Sequence, residues 1–186
     1  MKNTIKYLIL LIIYLVCGVN LQAQNYTFRN VVMSDGLSGL LVNAIYKDSE
    51  GFVWLGTDNC LDRFDGVKVR HYEFRGVDSG RKKRVNCITE TADNQLWVGN
   101  GIGLWRLNRA NGQLERIVPE KIDFAVNTLL PDGDILYIGT EKGLFIQEDG
   151  QLLQVLTDRN MLAACNRIMD LCLNKDKSAL WLATVQ

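Results

Sequence analysis

The feature that most constrains the fold is a pattern that recurs along most of the chain. Four segments share short apolar runs separated by turns rich in Asp, Asn and Gly, and each has one aromatic residue within its second run: Trp54, Trp97, Tyr137 and Trp181. These aromatic residues are 43, 40 and 44 positions apart. A period near 40–45 residues that is built from short strands is typical of β-propeller blades, each of which is a four-stranded sheet.

The apolar runs favour strands over helices. They are short and bounded by turn residues, whereas helical repeats of similar period need longer runs with apolar spacings of three and four. The first segment shows the turns most clearly: one at 48–51, a second at Asp58-Asn59 and a hairpin signal at Asp65-Gly66. The next two segments have turns in the same order. The sequence therefore predicts an all-β fold, a partial β-propeller of about three and a half four-stranded blades.

The repeat also sets the domain bounds. We place propeller repeats over residues 24–186, with blades at approximately 41–75, 84–118, 125–156 and 167–186, the last of them incomplete. The four recurrent aromatic residues are predicted to be structural anchors in the core, and Trp105 a further core residue. Because repeat units bury their faces against neighbours, a partial ring leaves one blade face bare, and we expect the isolated chain to be marginally stable.

The first residues have the features of an export signal. Lys2 and Lys6 precede an apolar stretch at 7–17, and small or polar residues follow up to Ala23. A positive start, a short apolar run and a small residue before the mature start are typical of a secretory signal peptide, which we place at 1–23. An uncleaved membrane anchor is the alternative. The sequence therefore predicts export, with a periplasmic location for the mature chain.

Composition excludes several classes of function. The 21 basic side chains are balanced by 21 acidic ones, so the chain lacks the excess of positive charge that is typical of nucleic-acid-binding proteins. The only His, His71, rules out a zinc site with several His ligands. The glycines at 99–103 resemble a dinucleotide loop but precede a strand rather than a helix, which indicates a turn. We therefore expect no metal site, no cofactor and no catalytic residues.

Four cysteines follow the predicted signal peptide: Cys60, Cys87, Cys165 and Cys172. Export would place them where disulfides form, and four cysteines allow three pairings that the sequence does not distinguish. Cys87 and Cys172 lie within apolar runs, where a cysteine packs as a small hydrophobic residue. We therefore favour free structural thiols over disulfides.

The first segment and the residues before it resemble two-component regulator propeller sensors. The run Asp35-Gly36-Leu37-Ser38 resembles the opening element of that family. The blade pattern that follows is matched by ten further residues, namely Asp48, Gly51, Phe52, Trp54, Gly56, Thr57, Leu61, Arg63, Asp65 and Gly66. Three positions depart from the family: Cys60 and Ala183 replace a Gly, and Asn100 replaces a Thr. We interpret these departures as variants of turns that leave the fold intact.

The resemblance implies a function. It identifies the chain as the N-terminal part of the periplasmic sensor region of a hybrid two-component histidine kinase of Bacteroidetes, a region that binds glycan fragments and is not an enzyme. Such sensors continue into further blades, an immunoglobulin-like domain, a membrane span and a kinase. The expected partners are an oligosaccharide and the missing blades or a homodimer partner, with membrane contact only through the absent segments. A propeller-fold polysaccharide-processing enzyme and an adhesion or scaffold module are the alternatives.

Propeller geometry also suggests where a ligand would bind. The loops between blades and the turns between second and third strands share one face of a propeller, where ligands usually bind. The polar residues of those segments are the predicted ligand-binding residues: Asp58, Asn59, Arg81, Lys82, Lys83, Arg84, Asn100, Glu141 and Lys142. The basic run at 81–84 has two interpretations, a solvated loop or a contact for an acidic glycan.

Overall fold

The computed structural model describes residues 5–7, 28–77, 83–117, 122–156 and 167–185. The chain divides into two units, Met1–Asn30 and Val31–Gln186. In the first unit, residues 5–7 are helical and exposed, and residues 28–30 are exposed. The rest of the predicted signal peptide lies outside the described residues. No helix in the described ranges combines the length and the apolarity that a membrane crossing requires.

The described part of the second unit consists almost entirely of antiparallel sheets. A short 3-10 helix, Met33–Asp35, precedes the first strand. The first sheet comprises β1 (Val42–Lys47), β2 (Val53–Thr57), β3 (Leu61–Phe64) and β4 (Val69–Tyr72). The second comprises β5 (Val85–Glu90), β6 (Leu96–Asn100), β7 (Gly103–Asn108) and β8 (Gln113–Ile117).

The third and fourth sheets follow the same order along the chain. The third comprises β9 (Val126–Asp132), β10 (Ile135–Thr140), β11 (Gly143–Glu148) and β12 (Gln151–Leu156). The fourth pairs β13 (Arg167–Leu173) with β14 (Leu180–Val185). Within each sheet, every strand pairs with the next one along the chain, which is the arrangement of propeller blades. The predicted all-β propeller fold is thereby confirmed.

Two of the repeated tryptophans hold the first turn of their own blade. Trp54 is fully buried, and its indole N–H donates to Asp48 Oδ2 at 2.8 Å. Trp97 is buried as well, and its indole N–H donates to Thr91 Oγ1 at 3.1 Å. A buried indole N–H needs an acceptor. The repeated aromatic residue therefore fills the core and anchors the turn between the first two strands of its blade.

Repeated glycines let neighbouring sheets pack closely. Gly56, Gly99 and Gly139 occupy equivalent positions near the ends of β2, β6 and β10. A methyl group at Gly56 would lie 2.4 Å from Val85 Cγ1, and one at Gly139 would lie 2.8 Å from Ile168 Cγ2. Val85 and Ile168 belong to the first strand of the following sheet. Glycine is therefore needed at these positions for close packing between blades.

The fourth sheet corrects one sequence prediction. Trp181 was expected in the core, yet its side chain is 68% exposed on β14. Ala183, which stands where the other blades have glycine, is exposed as well. The physical reason is the same for both residues, because no further strand among the described residues covers this face of β14. Tyr137 is partly buried against the third core cluster.

The cysteine predictions are confirmed in part. Cys60, Cys87 and Cys172 are free thiols, whereas Cys165 lies outside the described residues. Cys60 is buried and Cys87 is half-buried, as expected of small core residues. The expectation that Cys172 packs as a core residue is wrong, because Cys172 is exposed beside Trp181, its partner across the ladder, on the face of the fourth sheet that no described strand covers.

Candidate functional site

The first strand of every sheet contains a β-bulge near its start. In β1, Val42 pairs with Thr57 and Ala44 pairs with Gly56, so that Asn43 is the extra residue. The bulged residues in the four strands are Asn43, Asn86, Asn127 and Met169. A bulge bends its strand and redirects the side chain it carries. Three of the four blades therefore present an asparagine from the same position of the innermost strand.

Two of the bulged asparagines link one blade to the next. Asn86 Nδ2 donates to the carbonyl of Val126 at 2.9 Å, and Asn127 Nδ2 donates to the carbonyl of Ile168 at 2.8 Å. Asn43 Nδ2 is buried and has no hydrogen-bond partner among the described residues. A buried donor without a partner costs about 1–3 kcal/mol. The Asn43 amide is therefore a donor without a partner at the position where Asn86 and Asn127 donate to the next blade.

The bulged residues line a cavity of about 540 Å³. This central cavity is formed by the starts of the innermost strands and by the turns that follow the second strands of blades two and three. Its lining residues are Asn43, Arg84, Asn86, Gly101, Ala125, Asn127, Glu141, Arg167 and Met169. The volume lies within the usual range for small-molecule sites.

The charged groups of the central cavity are accessible to a ligand. Arg84, Arg167 and Glu141 are exposed, and none of them forms an ion pair with another described residue. Glu141 Oε1 accepts a weak hydrogen bond from the backbone N–H of Ala125 at 3.3 Å. Two guanidinium groups, one carboxylate and three amides form a lining that donates many hydrogen bonds and is positively charged overall. Such a lining suits a polyhydroxylated ligand with an acid group.

The structure brings some of the predicted ligand-binding residues together and separates others. Arg84 and Glu141 line the central cavity. Asn59 and Lys83 line a different cavity of about 380 Å³ beside the first sheet.

The other predicted residues that the structure describes line neither cavity. Asp58 is exposed in the turn between β2 and β3. The ammonium group of Lys142 lies 4.6 Å from the centroid of the Phe124 ring, and Lys142 is not among the residues lining either cavity. Arg81 and Lys82 lie outside the described residues.

Asn100 requires a correction, because it is fully buried and does not face a ligand. Its Oδ1 accepts hydrogen bonds from the backbone N–H of Ile102 at 3.0 Å and from the indole N–H of Trp105 at 3.2 Å. In the first and third blades, Thr57 and Thr140 hold the equivalent turn through their hydroxyl groups. The side chain of Asn100 therefore takes over the role of a turn-forming threonine.

Sequence reasoning missed the bulged asparagines and Arg167. A signal for the asparagines is present, since the pair Val-Asn recurs at 42–43, 85–86 and 126–127. A pair that recurs at the same place in each repeat indicates a shared structural role. A bulge does not change the apolar pattern of a strand, however, so the direction of these side chains becomes evident only from the strand register. Arg167 carries no such signal.

The chain has sequence similarity to known proteins over part of its length. Residues 36–59 match the model of the two component regulator propeller family. A segment of 79 residues is 32% identical to histidine kinase P4 of Formosa agariphila and covers 42% of this chain. That segment spans only 6% of the kinase.

Solved structures share the fold over most of the chain. The extracellular domain of a putative hybrid two component system from B. thetaiotaomicron superposes with a TM-score of 0.67 and 23% identity, over 80% of this chain and 21% of that domain. Virginiamycin B lyase from Staphylococcus aureus superposes with a TM-score of 0.60 and 16% identity, over 77% of this chain and 48% of the lyase.

These comparisons agree with the residues that carry the sequence resemblance. The matched segment includes Asp48, Trp54 and Thr57, which form the first blade's turns and core. The chain spans a quarter or less of the length of the kinase and of the extracellular domain that it resembles. The resemblance is thus confirmed, and the chain carries a two component regulator propeller repeat within a β-propeller fold.

Proposed function

We propose that this chain is a ligand-binding part of the periplasmic sensor region of a two-component histidine kinase, exported by its N-terminal signal peptide. The propeller repeat and the fold shared with the extracellular domain of a sensor support this proposal. The observation that carries it is the central cavity, in which bulged asparagines meet charged groups that form no ion pair with other described residues. In this proposal the chain acts by binding, and a downstream kinase carries out the chemistry.

The proposed ligand is a glycan fragment with a carboxylate or another acid group. Sugar hydroxyls accept hydrogen bonds from amide N–H groups, and the buried Asn43 amide nitrogen donates to none of the described residues. Arg84 and Arg167 offer guanidinium groups, which form paired, charge-assisted hydrogen bonds with carboxylates. Glu141 accepts hydrogen bonds from hydroxyls that act as donors. Each part of an acidic oligosaccharide therefore has a complementary group in the lining.

The lining favours binding over hydrolysis. Most glycoside hydrolases place two carboxyl groups on either side of the scissile bond. Among the described residues that line the central cavity, Glu141 is the sole carboxylate, and His, Cys and Ser are absent from the lining. This arrangement supports a sensor more than the alternative of a polysaccharide-processing enzyme.

Isothermal titration calorimetry on the purified chain tests the proposal. Oligosaccharides that contain uronic acid are titrated in parallel with neutral oligosaccharides of equal length. We expect the acidic series to bind, and Arg84→Gln and Arg167→Gln each to weaken binding about 10-fold to 100-fold, since a hydrogen bond to a charged group contributes about 1.5–3 kcal/mol. Lys68→Gln is the matched control, because Lys68 is exposed in the outer hairpin of the first sheet.

Two results would contradict the proposal. One is binding of acidic oligosaccharides that Arg84→Gln and Arg167→Gln leave unchanged, because the ligand would then bind elsewhere. The other is release of shortened sugars during incubation, detected by mass spectrometry, because the chain would then be an enzyme. If acidic and neutral sugars bind with equal affinity, the acid group is not recognised, and that part of the proposal is wrong.

A further inference from the structure

A second group of polar side chains lies in the first sheet, apart from the central cavity. It consists of Cys60, Asp62 and His71, which we call the first-sheet cluster. Cys60 Sγ lies 3.3 Å from Asp62 Oδ1, and His71 Nδ1 lies 2.7 Å from the same oxygen. The three potential ligand atoms all lie within 4.8 Å of one another. A thiol, a carboxylate and an imidazole therefore converge on one point.

The strand register explains why these residues meet. Asp62 in β3 and His71 in β4 are direct partners across the antiparallel ladder, so their side chains share one face of the sheet. Cys60 is two positions before Asp62, and side chains two positions apart in an extended chain point to the same side. The cluster is thus fixed by the hairpin between β3 and β4. Cys60 occupies the position where related propeller repeats have glycine.

Asp62 is the centre of the first-sheet cluster. Its side chain is fully buried, and its one ion-pair partner among the described residues is His71, whose side chain is 47% exposed. Asp62 Oδ2 accepts hydrogen bonds from the backbone N–H of Ser38 at 2.8 Å and from its hydroxyl at 2.7 Å. These two bonds fix the carboxylate and leave Oδ1 directed at Cys60 and His71. Hydrogen bonds of this kind orient metal-binding carboxylates in known sites.

We propose that Cys60, Asp62 and His71 bind one zinc ion. Thiolate, imidazole and carboxylate are the ligands that zinc prefers, at about 2.3, 2.0 and 2.0–2.2 Å respectively. In a tetrahedral site, those bond lengths place sulfur and oxygen about 3.5 Å apart and nitrogen and oxygen about 3.3 Å apart. The sulfur–oxygen pair is already close to that separation. The nitrogen–oxygen pair must open by about 0.6 Å, which the half-exposed His71 ring allows.

Charge and access are consistent with such a site. The thiol of Cys60 releases its proton to solvent as its sulfur binds the metal, so two negative ligands neutralise the dication in a largely buried position. The cavity of about 380 Å³ beside the first sheet is lined by Cys60 and His71, together with Glu73 and Lys83. This cavity gives the ion a path from solvent and leaves room for water at the fourth ligand position.

Zinc and cobalt titrations of the purified full chain, treated first with a chelator, test this inference. We expect one zinc ion per chain by calorimetry. Cobalt should give a thiolate charge-transfer band and the visible absorption of a tetrahedral complex, and Cys60→Ser should abolish the charge-transfer band. His71→Gln should weaken zinc binding at least about 100-fold, because it removes a ligand rather than an outer contact. Cys172→Ser is the matched control, since that thiol is exposed on the fourth sheet.

Circular dichroism tests whether each variant is folded. If Cys60→Ser does not fold, the partly exposed His71 still decides the question through His71→Gln. Three results would overturn the inference: no zinc binding by the intact chain, full zinc affinity in His71→Gln, or loss of binding in Cys172→Ser. The last result would show that zinc binds to an exposed thiol only.

Discussion

Replacement of Gly99 by alanine tests the packing between blades, because Gly99 lies against the sheet that follows its own. A methyl group at this position would lie 2.5 Å from Cys87 Sγ, 2.6 Å from Val126 Cγ1 and 3.0 Å from Val126 Cβ. Val126 is fully buried at the start of β9, and its branched side chain has little rotameric freedom. The third sheet would have to move away from the second to admit the methyl group.

The cost of Gly99→Ala follows from these contacts. Overpacking a core typically costs about 1–3 kcal/mol, and we expect about 3 kcal/mol here because two of the three clashing atoms belong to the rigid side chain of Val126. A domain is stable by about 5–15 kcal/mol, so this loss is a large fraction of the total. Val126→Ala removes the nearest methyl groups. The double variant should therefore lose less stability than the sum of the two single variants, by about 1 kcal/mol or more.

Urea denaturation monitored by tryptophan fluorescence measures these free energies of unfolding. Ala183→Gly is the matched control, because Ala183 occupies the equivalent position on the fourth sheet and is exposed. We expect that control to change stability by no more than about 1 kcal/mol. A loss below about 0.5 kcal/mol for Gly99→Ala, or strict additivity with Val126→Ala, would refute the argument that the repeated glycines are needed for contact between blades.

Three further predictions concern buried and exposed side chains. Burial raises the pKa of the Cys87 thiol from 9.0 to about 12, so at pH 8 iodoacetamide should modify Cys172 and leave Cys87 unmodified until urea is added, as peptide mass spectrometry would show. The unfolded chain loses the Cys87 proton near pH 9 and the folded chain near pH 12, so the stabilisation linked to Cys87 is present below pH 9 and is lost as the pH rises towards 12. The melting temperature of Cys87→Ala should therefore fall less over that interval than the melting temperature of the unaltered chain. An equal fall in the two proteins would contradict this. Trp181→Ser should reduce self-association, measured by sedimentation velocity, without loss of stability, because the Trp181 side chain is exposed. Trp97→Ser should lower the free energy of unfolding by about 3–5 kcal/mol, because Trp97 is buried. Unchanged self-association in Trp181→Ser would show that the exposed indole does not promote association.

The blade architecture could be predicted because the sequence repeats. Each blade uses the same few interactions, such as the Trp54 indole bound to Asp48 and the threonine hydroxyl that holds the next turn, and these interactions leave a periodic pattern in the sequence. Trp181 shows the limit of that reasoning. Its local sequence is that of a core residue, but burial depends on a neighbouring sheet, and no described strand covers it.

The site was harder to predict than the fold. Arg84 and Glu141 could be found from propeller geometry, since both lie in connecting segments on the face where ligands usually bind. The asparagines at the bulges could not be found in this way, because a bulge is a property of strand register and leaves the apolar pattern of the sequence unchanged. The proximity of Cys60 and His71 also depends on strand register, because it follows from the pairing of Asp62 in β3 with His71 in β4.

The proposed ligand binds in the central cavity, which the bulged asparagines line. Two-dimensional ¹⁵N–¹H spectra of the chain, recorded during titration with an oligosaccharide that contains uronic acid, test it most directly. We expect the side-chain amide signals of Asn43, Asn86 and Asn127 to shift with one saturable affinity, and those of Asn59 and Asn174 to stay unchanged. Shifts confined to residues outside the cavity, with the three asparagine signals unchanged at saturation, would contradict it.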